Sequence, residues 1–334
     1  MNYIGSKTRL LSFLDASIAQ IANGSCARFC DAFAGTGAVG SHFKKLGFQV
    51  IANDIQTYSF ILNQHYIGNS AHLLSKGPQL CEQLSQLEGK EGFLYCHYTA
   101  GGSKHDPVQR LYLSDENAKQ CDAIRQEIEC WKIQNKITMK EYYFLLTCLI
   151  EAMDKVANTA SVYGAHLKQL KKSAQIPLRL KPAKLIPGPE GHVFQKDINA
   201  LIHDIDTDIL YLDPPYNHRQ YSGNYHLLET LALYDTPTLK GKSGLRKDNA
   251  YQSPYCLQKK AKKAFSELIS KAKAKYIFLS YNNEGILSLA DIEAILSTRG
   301  QYGRFTQPHT RFKADSNRTQ KATQTLEYLH YVII

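Results

Sequence analysis

The chain has 334 residues, 43% of them hydrophobic, which is enough for one large α/β domain with an insertion or for two domains. Its 40 Lys and Arg against 30 Asp and Glu give a net charge of +10, a balance that suits a polyanionic partner. No stretch approaches the apolar length of a membrane span and no signal-peptide core opens the chain, so a soluble, cytoplasmic protein with no membrane partner is expected.

Residues 8–22 place Leu11, Leu14, Ile18 and Ile21 on one helical stripe. Ala27 to Phe33 reads as a strand, followed by a glycine-rich turn and a helix from about Ala38 to Leu46. Phe48 to Ala52 reads as a second strand, ending at Asn53-Asp54 and leading into a helix through Tyr66. That strand–helix–strand unit is the start of a doubly wound sheet.

From about 67 to 190 the pattern changes. Leu80, Leu84 and Leu87, then 116–133, then Tyr142 to Val156 show helical spacing without convincing strand alternation. Pro177, Pro182, Pro187 and Pro189 close the segment with a Pro- and Lys-rich connector. The sheet resumes with Val193-Phe194, 208–212 and Tyr276 to Tyr281, and Leu326 to Ile334 reads as an edge or hairpin strand. Residues 240–263 read as a mobile, Lys-rich loop leading into a helix, with Lys259, Lys260, Lys262 and Lys263 on its exposed side. The predicted organisation is a mostly parallel, doubly wound α/β sheet from 1–66 and 191–334, with a mainly helical insertion at 67–190.

The 8 cysteines are scattered and form no Cys-x-x-Cys pair, which favours buried reduced thiols over disulfides or zinc. The 12 histidines show no ligand spacing with acids or cysteines, so no metal is expected.

Residues 208–217, Asp-Ile-Leu-Tyr-Leu-Asp-Pro-Pro-Tyr-Asn, are the most informative stretch. An apolar run with the look of a buried parallel strand stops at Asp213-Pro214-Pro215-Tyr216. The prolines fix two φ angles and remove two N–H donors, so the chain leaves the sheet in a stiff, extended turn. An acid, a backbone carbonyl and a flat ring are thereby fixed where open α/β sheets bind ligands, as a planar amine such as a nucleobase requires. The plainer alternative is a strand followed by a Pro-rich surface loop.

Phe33-Ala34-Gly35-Thr36-Gly37-Ala38-Val39-Gly40 contains Gly-x-Gly-x-x-Gly between a strand and a helix, where glycines let the backbone approach a nucleoside. Asp54, ending the next strand, is placed to accept hydrogen bonds from ribose hydroxyls. Dinucleotide enzymes and users of S-adenosylmethionine share this pair of features. Asp31 favours the methyl donor, since it would meet a cationic methionine moiety and repel a pyrophosphate. The Asp-Pro-Pro-Tyr turn favours it too, because hydride transfer has no need of it.

Asn2-Tyr3-Ile4-Gly5-Ser6-Lys7, then Asp31-Ala32-Phe33-Ala34-Gly35-Thr36-Gly37, then Asp213-Pro214-Pro215-Tyr216 occur in an order that resembles the alpha-group, Dam-type adenine-specific DNA methyltransferases. Within that group the chain looks most like the modification enzymes of type II restriction systems. The resemblance runs nearly end to end, except at 67–190, where target-recognition segments vary. It implies an S-adenosylmethionine-dependent methyltransferase sheet and transfer of a methyl group to the 6-amino group of a flipped adenine in duplex DNA. It also implies protection of host DNA, a monomer, and a cognate restriction endonuclease acting on the same site. Asp213, Pro214 and Tyr216 would be catalytic. Tyr3 and Lys7 match positions at the cofactor's methionine end, Lys7 pairing with its carboxylate. Asp31, Phe33, Gly35, Gly37 and Asp54 would line the pocket, and Asp197 would hold the cofactor's adenine amine unless it serves only as a helix N-cap.

Arg219 and Tyr221 follow the catalytic turn, where they would line the flipped or the orphaned base; a solvated loop is the alternative. Basic residues interleaved with tyrosines at Tyr163, Lys168, Lys171, Lys172, Arg179 and Lys181 form a candidate phosphate track. Lys240, Lys242, Arg246 and Lys247 form another, as do Arg304, Arg311, Lys313 and Arg318. The competing functions are an RNA (rRNA) base methyltransferase, a DNA-binding regulator without catalysis, and a nicotinamide-dependent dehydrogenase. The last leaves the Pro-Pro turn and Lys7 unexplained.

Overall fold

A computed structural model describes residues 3–22, 24–69, 76–165, 167–247, 251–310 and 324–334. Its strands in chain order are β1 (Arg28–Asp31), β2 (Gln49–Asn53), β3 (His192–Phe194) and β4 (Asp206–Leu212). The two-residue β5 (Leu239–Lys240) and β6 (Leu245–Arg246) follow, then β7 (Lys273–Asn282), β8 (Gln301–Thr310) and β9 (Gln324–Ile333).

The main sheet has the order β3-β2-β1-β4-β7-β9-β8. Pairing is parallel from β3 to β7, and β9 and β8 close the sheet antiparallel. This is the mostly parallel, doubly wound sheet expected from the sequence. The chain runs outward from β1 through β2 to β3, then returns to place β4 on the other side of β1. Such a reversal opens a crevice at the carboxyl ends of the two central strands. The register Asp31↔Tyr211 sets those ends side by side.

Both faces are covered, which is why the central strands read as continuous apolar runs. On one face Phe29 stacks on Phe43 at 3.9 Å between ring centres, beside Tyr211. On the other, Leu210, Leu212, Ile277 and Leu279 pack with Phe265, Leu268 and Ile292 from the helices Gln258–Lys271 and Leu289–Leu296. At the opposite end of β4, Asp208 accepts the N–H groups of Ala27 and Arg28, each at 2.9 Å, and an ammonium of Lys275 at 2.8 Å. Burial alone would raise its pKa, but these donors bring it down to about 2, so this lock stays charged at any ordinary pH.

The last apolar segment is a hairpin strand, as its pattern suggests, but it lies inside the sheet between β7 and β8. Its partner β8 carries no apolar alternation and holds Pro308, which an edge strand tolerates because one side of its backbone needs no ladder partner. Part of the expected loop at 240–263 is built structure. β5 pairs with β6, and Arg246, 6% exposed, donates to both oxygens of Asp235 at 2.8 and 2.6 Å. The predicted helix begins at Gln258, with its lysines outward.

Contacts divide the chain into two units: 1–4, 64–185 and 221–250 in the first, and 5–63, 186–220 and 251–334 in the second. The second contains the sheet. The first is the helical insertion, built on Gly77–Ser85, Phe93–Tyr98, Asp115–Ile133 and Met139–Val156. Its longest helices start where Ser114 and Thr138 cap them, Thr138 in a reciprocal pair with Glu141. The expected boundaries, 67–190 for the insertion and 191–334 for the sheet, miss 221–250. The reason is a set of polar ties invisible in a hydrophobic pattern. Arg125 donates to the carbonyls of Leu231 and Ala232 at 3.1 and 3.2 Å, and Tyr234 donates to Asp122 at 2.6 Å.

Candidate active site

Six of the seven residues of β4 are buried, and Pro214-Pro215 stop the strand at the reversal point. The turn that follows is anchored. Ile286 N–H donates to the Tyr216 carbonyl at 3.0 Å, and the Tyr216 ring meets Tyr281 edge-on at 5.7 Å.

Lys7 opens a 3-10 turn, Lys7–Leu10, and its Nζ lies 2.8 Å from Asp213 Oδ1. Lys7 is 4% exposed and Asp213 16%, and the Lys7 ammonium also sits 5.4 Å from the centre of the Tyr216 ring. Burial works against the Lys7 charge, yet Asp213, Tyr216, Tyr211 and Glu327 hold its pKa well above the ordinary value. Burial pushes the Asp213 carboxyl up from the usual carboxylate range, and Lys7 pulls it only part of the way back. The resemblance gives Lys7 the cofactor's carboxylate; the structure puts its ammonium on Asp213. A single ammonium on Oδ1 leaves the second carboxylate oxygen for another donor.

At the end of β1, Asp31 is 1% exposed. Its Oδ2 accepts Gly40 N–H at 3.0 Å from the first turn of the helix Ala38–Lys45, while Oδ1 has no hydrogen-bond partner. Burial, opposed by Gly40 and reinforced by Asp213 and Asp54, lifts its pKa to about 7. A buried carboxylate oxygen left open at the reversal point is what a cationic ligand would satisfy.

Gly35 and Gly37 have φ of 52° and 77°, so the turn needs residues without a Cβ. A Cβ on Gly37 would stand 2.7 Å from Asn63 Oδ1. Half-buried Asp54 accepts Gly35 N–H at 2.8 Å on Oδ2 and Gln56 N–H at 2.9 Å on Oδ1; burial raises its pKa and these N–H groups oppose the rise. The Gly35 carbonyl accepts from Ser59 and, at 3.0 Å, from Asn63. Sequence reasoning missed these two, although their i, i+4 spacing on the helix after Asp54 was a usable signal. Phe33 packs edge-on against Tyr255 at 5.2 Å.

Asp197 caps the short helix Ile198–Leu201 through Asn199 N–H at 2.8 Å, and its other oxygen accepts Tyr251 O–H at 2.7 Å. The capping alternative weighed from the sequence is therefore present. Tyr3 falls in the helical unit, where its ring stacks on Tyr225 at 4.4 Å and meets Tyr221 at 5.6 Å. The Tyr221 hydroxyl donates to the Ile4 carbonyl at 3.1 Å. Lys7, Asp31, Phe33, Gly35, Gly37, Asp54, Asp197, Asp213, Pro214 and Tyr216 all lie in the sheet unit.

Lys168, Lys171 and Lys172 are exposed in the helical unit, Lys171 donating to the Thr159 carbonyl. Arg219 is exposed in the sheet unit. Arg311, Lys313 and Arg318 lie outside the described residues.

Residues 3–295 match the family model of the D12 class N6 adenine-specific DNA methyltransferases. The chain is 51% identical over 335 residues to the type II methyltransferase M.NlaIII of Neisseria lactamica, covering 99% of this chain and 98% of that one. It is 38% identical to the type II methyltransferase M.FokI of Planomicrobium okeanokoites, covering 99% of this chain and 52% of that longer protein. It is 30% identical to the type II methyltransferase M.CviAII of Paramecium bursaria Chlorella virus 1, covering 100% of this chain and 98% of that one.

Proposed function

The chain belongs to the D12 class of N6 adenine-specific DNA methyltransferases, and from that premise we propose that Asp213, Pro214 and Tyr216 carry its chemistry. The enzyme methylates the 6-amino group of adenine in DNA, with S-adenosylmethionine as methyl donor. Its relatives are named type II methyltransferases, and we read it as the monomeric modification enzyme of a restriction system, sharing its site with a cognate endonuclease. One observation supports the assignment above the others: Asp213 directly follows β4 at the point where strand order reverses, one strand away from the open oxygen of Asp31.

The 6-amino lone pair of adenine is delocalised into the ring, which makes it a weak nucleophile. The Asp213 carboxylate and the Pro214 carbonyl each accept one amino N–H, drawing the nitrogen toward tetrahedral geometry and freeing the pair for in-line attack. Tyr216 stacks on the base, which must leave the duplex to reach it. When bound, S-adenosylmethionine supplies an electrophilic methyl group on a positively charged sulfur. Asp31 meets that charge with its open oxygen, Gly35 and Gly37 admit the nucleoside close to the backbone, and Asp54 and Phe33 border it. We leave Tyr3 and Asp197 to their stack and cap.

The test is product identity. Purified protein incubated with duplex DNA and labelled S-adenosylmethionine should yield N6-methyladenine at one recurring sequence. Label appearing in ribosomal RNA and not in DNA would transfer the assignment to the RNA class.

The helical unit, with 221–250, is proposed as the DNA-reading part, and Lys168, Lys171 and Lys172 as phosphate contacts flanking the target; Arg219 and Tyr221 would line the extruded or orphaned base. Replacing the three lysines by alanine should weaken binding to all sequences alike and flatten the dependence of log affinity on log salt by up to about 2.7, at roughly 0.9 per contact. Cofactor affinity should not change. An unaltered slope would move the phosphate track elsewhere.

A further inference from the structure

Glu327 is a buried acid that the chemistry above does not use. It lies on β9 opposite Asn282 of β7, is 6% exposed, and its Oε2 accepts no hydrogen bond. Leaving such an oxygen unsatisfied is costly, and sites of that kind persist where the charge is used.

Strand pairing fixes what Glu327 faces. Tyr211 is opposite Phe278, and its hydroxyl meets Ser280 Oγ at 2.7 Å, so these three share a face. Asn282 lies two residues beyond Ser280 and opposite Glu327, which the two-residue alternation puts on that same face. Asp213 follows two residues after Tyr211 and carries Lys7 at 2.8 Å; Glu327 and Asp213 both act on the Lys7 charge, and Tyr216 feels both acids. The groups around Glu327 are therefore Lys7, Asp213 and Tyr216, with Asn282 from β7 and its uncharged partner Gln307 from β8.

Charge counting gives this acid a task. Before reaction, Lys7 and Asp213 cancel. As the bond from adenine nitrogen to the methyl carbon forms, the C–S electron pair goes to sulfur and the nitrogen becomes cationic. It stays so until an N–H bond breaks and the proton passes to Asp213 and out to water. During that interval one carboxylate faces two cations. We infer that Glu327 is a positioning residue that balances Lys7, leaving Asp213 to take the positive charge growing on the amine. The inference rests on Asp213 being the amine acceptor.

Glu327→Gln keeps the shape and removes the charge. Its kcat should fall roughly tenfold while KM for DNA and cofactor stay unchanged. The acid limb of its kcat profile should move to lower pH, because burial and Asp213 raise the pKa of Glu327, and the variant no longer has that charge to lose as the pH falls. Glu327→Asp, which retains the charge, should keep the limb and most of the rate. Lys7→Gln leaves Glu327 in place and serves even if Glu327→Gln does not fold. In it the acid limb should move to higher pH, since two carboxylates have lost their common cation. Wild-type kcat and an unmoved limb in Glu327→Gln would overturn the inference. So would Gln and Asp variants that are equally slow with unmoved limbs, or an unmoved limb in Lys7→Gln. An active Asp213→Ala enzyme would instead remove the reading of the site on which this one stands.

Discussion

Asp213→Ala lowers single-turnover methyl transfer by roughly a thousandfold or more and leaves cofactor affinity within a few-fold. The expectation follows from when the contact is made. A carboxylate accepting an amino N–H gains most as positive charge develops on nitrogen, so its loss raises the barrier more than it weakens binding. The structure adds a second effect. Lys7 is buried and paired with Asp213 at 2.8 Å, so alanine breaks that pair and leaves Glu327 as the carboxylate acting on the ammonium, a loss of stability below the ~3–5 kcal/mol of a fully orphaned buried charge. Asp213→Asn separates the two effects: it retains an acceptor oxygen while losing the charge, and should be slow but less so than alanine. The measurement is tritiated-methyl incorporation into duplex DNA, with thermal unfolding and calorimetric cofactor binding as controls. A folded alanine variant active within a few-fold of wild type would remove Asp213 from the mechanism. In the wild-type enzyme Asp213 must be ionised to accept the amine. Because its pKa is raised, activity should fail on the acid side sooner than an ordinary carboxylate would allow.

The elements that carry the site were legible because their residues restrict the backbone. Pro214 and Pro215 end β4 by removing donors, and Gly35 and Gly37 are needed where φ is 52° and 77°. Asp31 and Asp54 end strands whose apolar runs are unmistakable. What the sequence concealed depends on partners far apart in the chain. No pattern shows that Lys7 reaches Asp213, or that Glu327 on the last strand shares their face, since register across a sheet is a tertiary property. Asp197 could be read equally as cap or ligand because the same oxygen chemistry suits both, and the cap was found. Residues 221–250 went to the helical unit through Arg125 and Asp122, polar ties that hydrophobic periodicity cannot register. Strand β8 escaped notice because an edge strand need not alternate.

Asp54→Ala should weaken S-adenosylmethionine by roughly 1.5–3 kcal/mol, about tenfold to more than a hundredfold in dissociation constant. The sequence suggests one cause, a direct contact to ribose hydroxyls, and the structure supplies another. One Asp54 oxygen already holds the glycine turn through Gly35 N–H, the other accepts the N–H of Gln56 two residues further on, and each oxygen has a further lone pair. Losing the carboxylate frees Gly35 and lets the turn relax, even if no ribose touches Asp54. Ser59 and Asn63 allow the causes to be separated, because they grip the same turn from the Gly35 carbonyl. If Asp54 acts only by holding the turn, the Ser59→Ala, Asn63→Ala double variant should lose comparable affinity. If it also meets the ribose, Asp54→Ala should cost more, and a deoxyribose analogue of the cofactor should bind wild type more weakly than S-adenosylmethionine yet bind Asp54→Ala no differently from it. Calorimetric titration reads all of these. Unchanged affinity in Asp54→Ala would mean that neither the turn nor the ribose depends on this acid, and the pocket would have to be redrawn around Asp31.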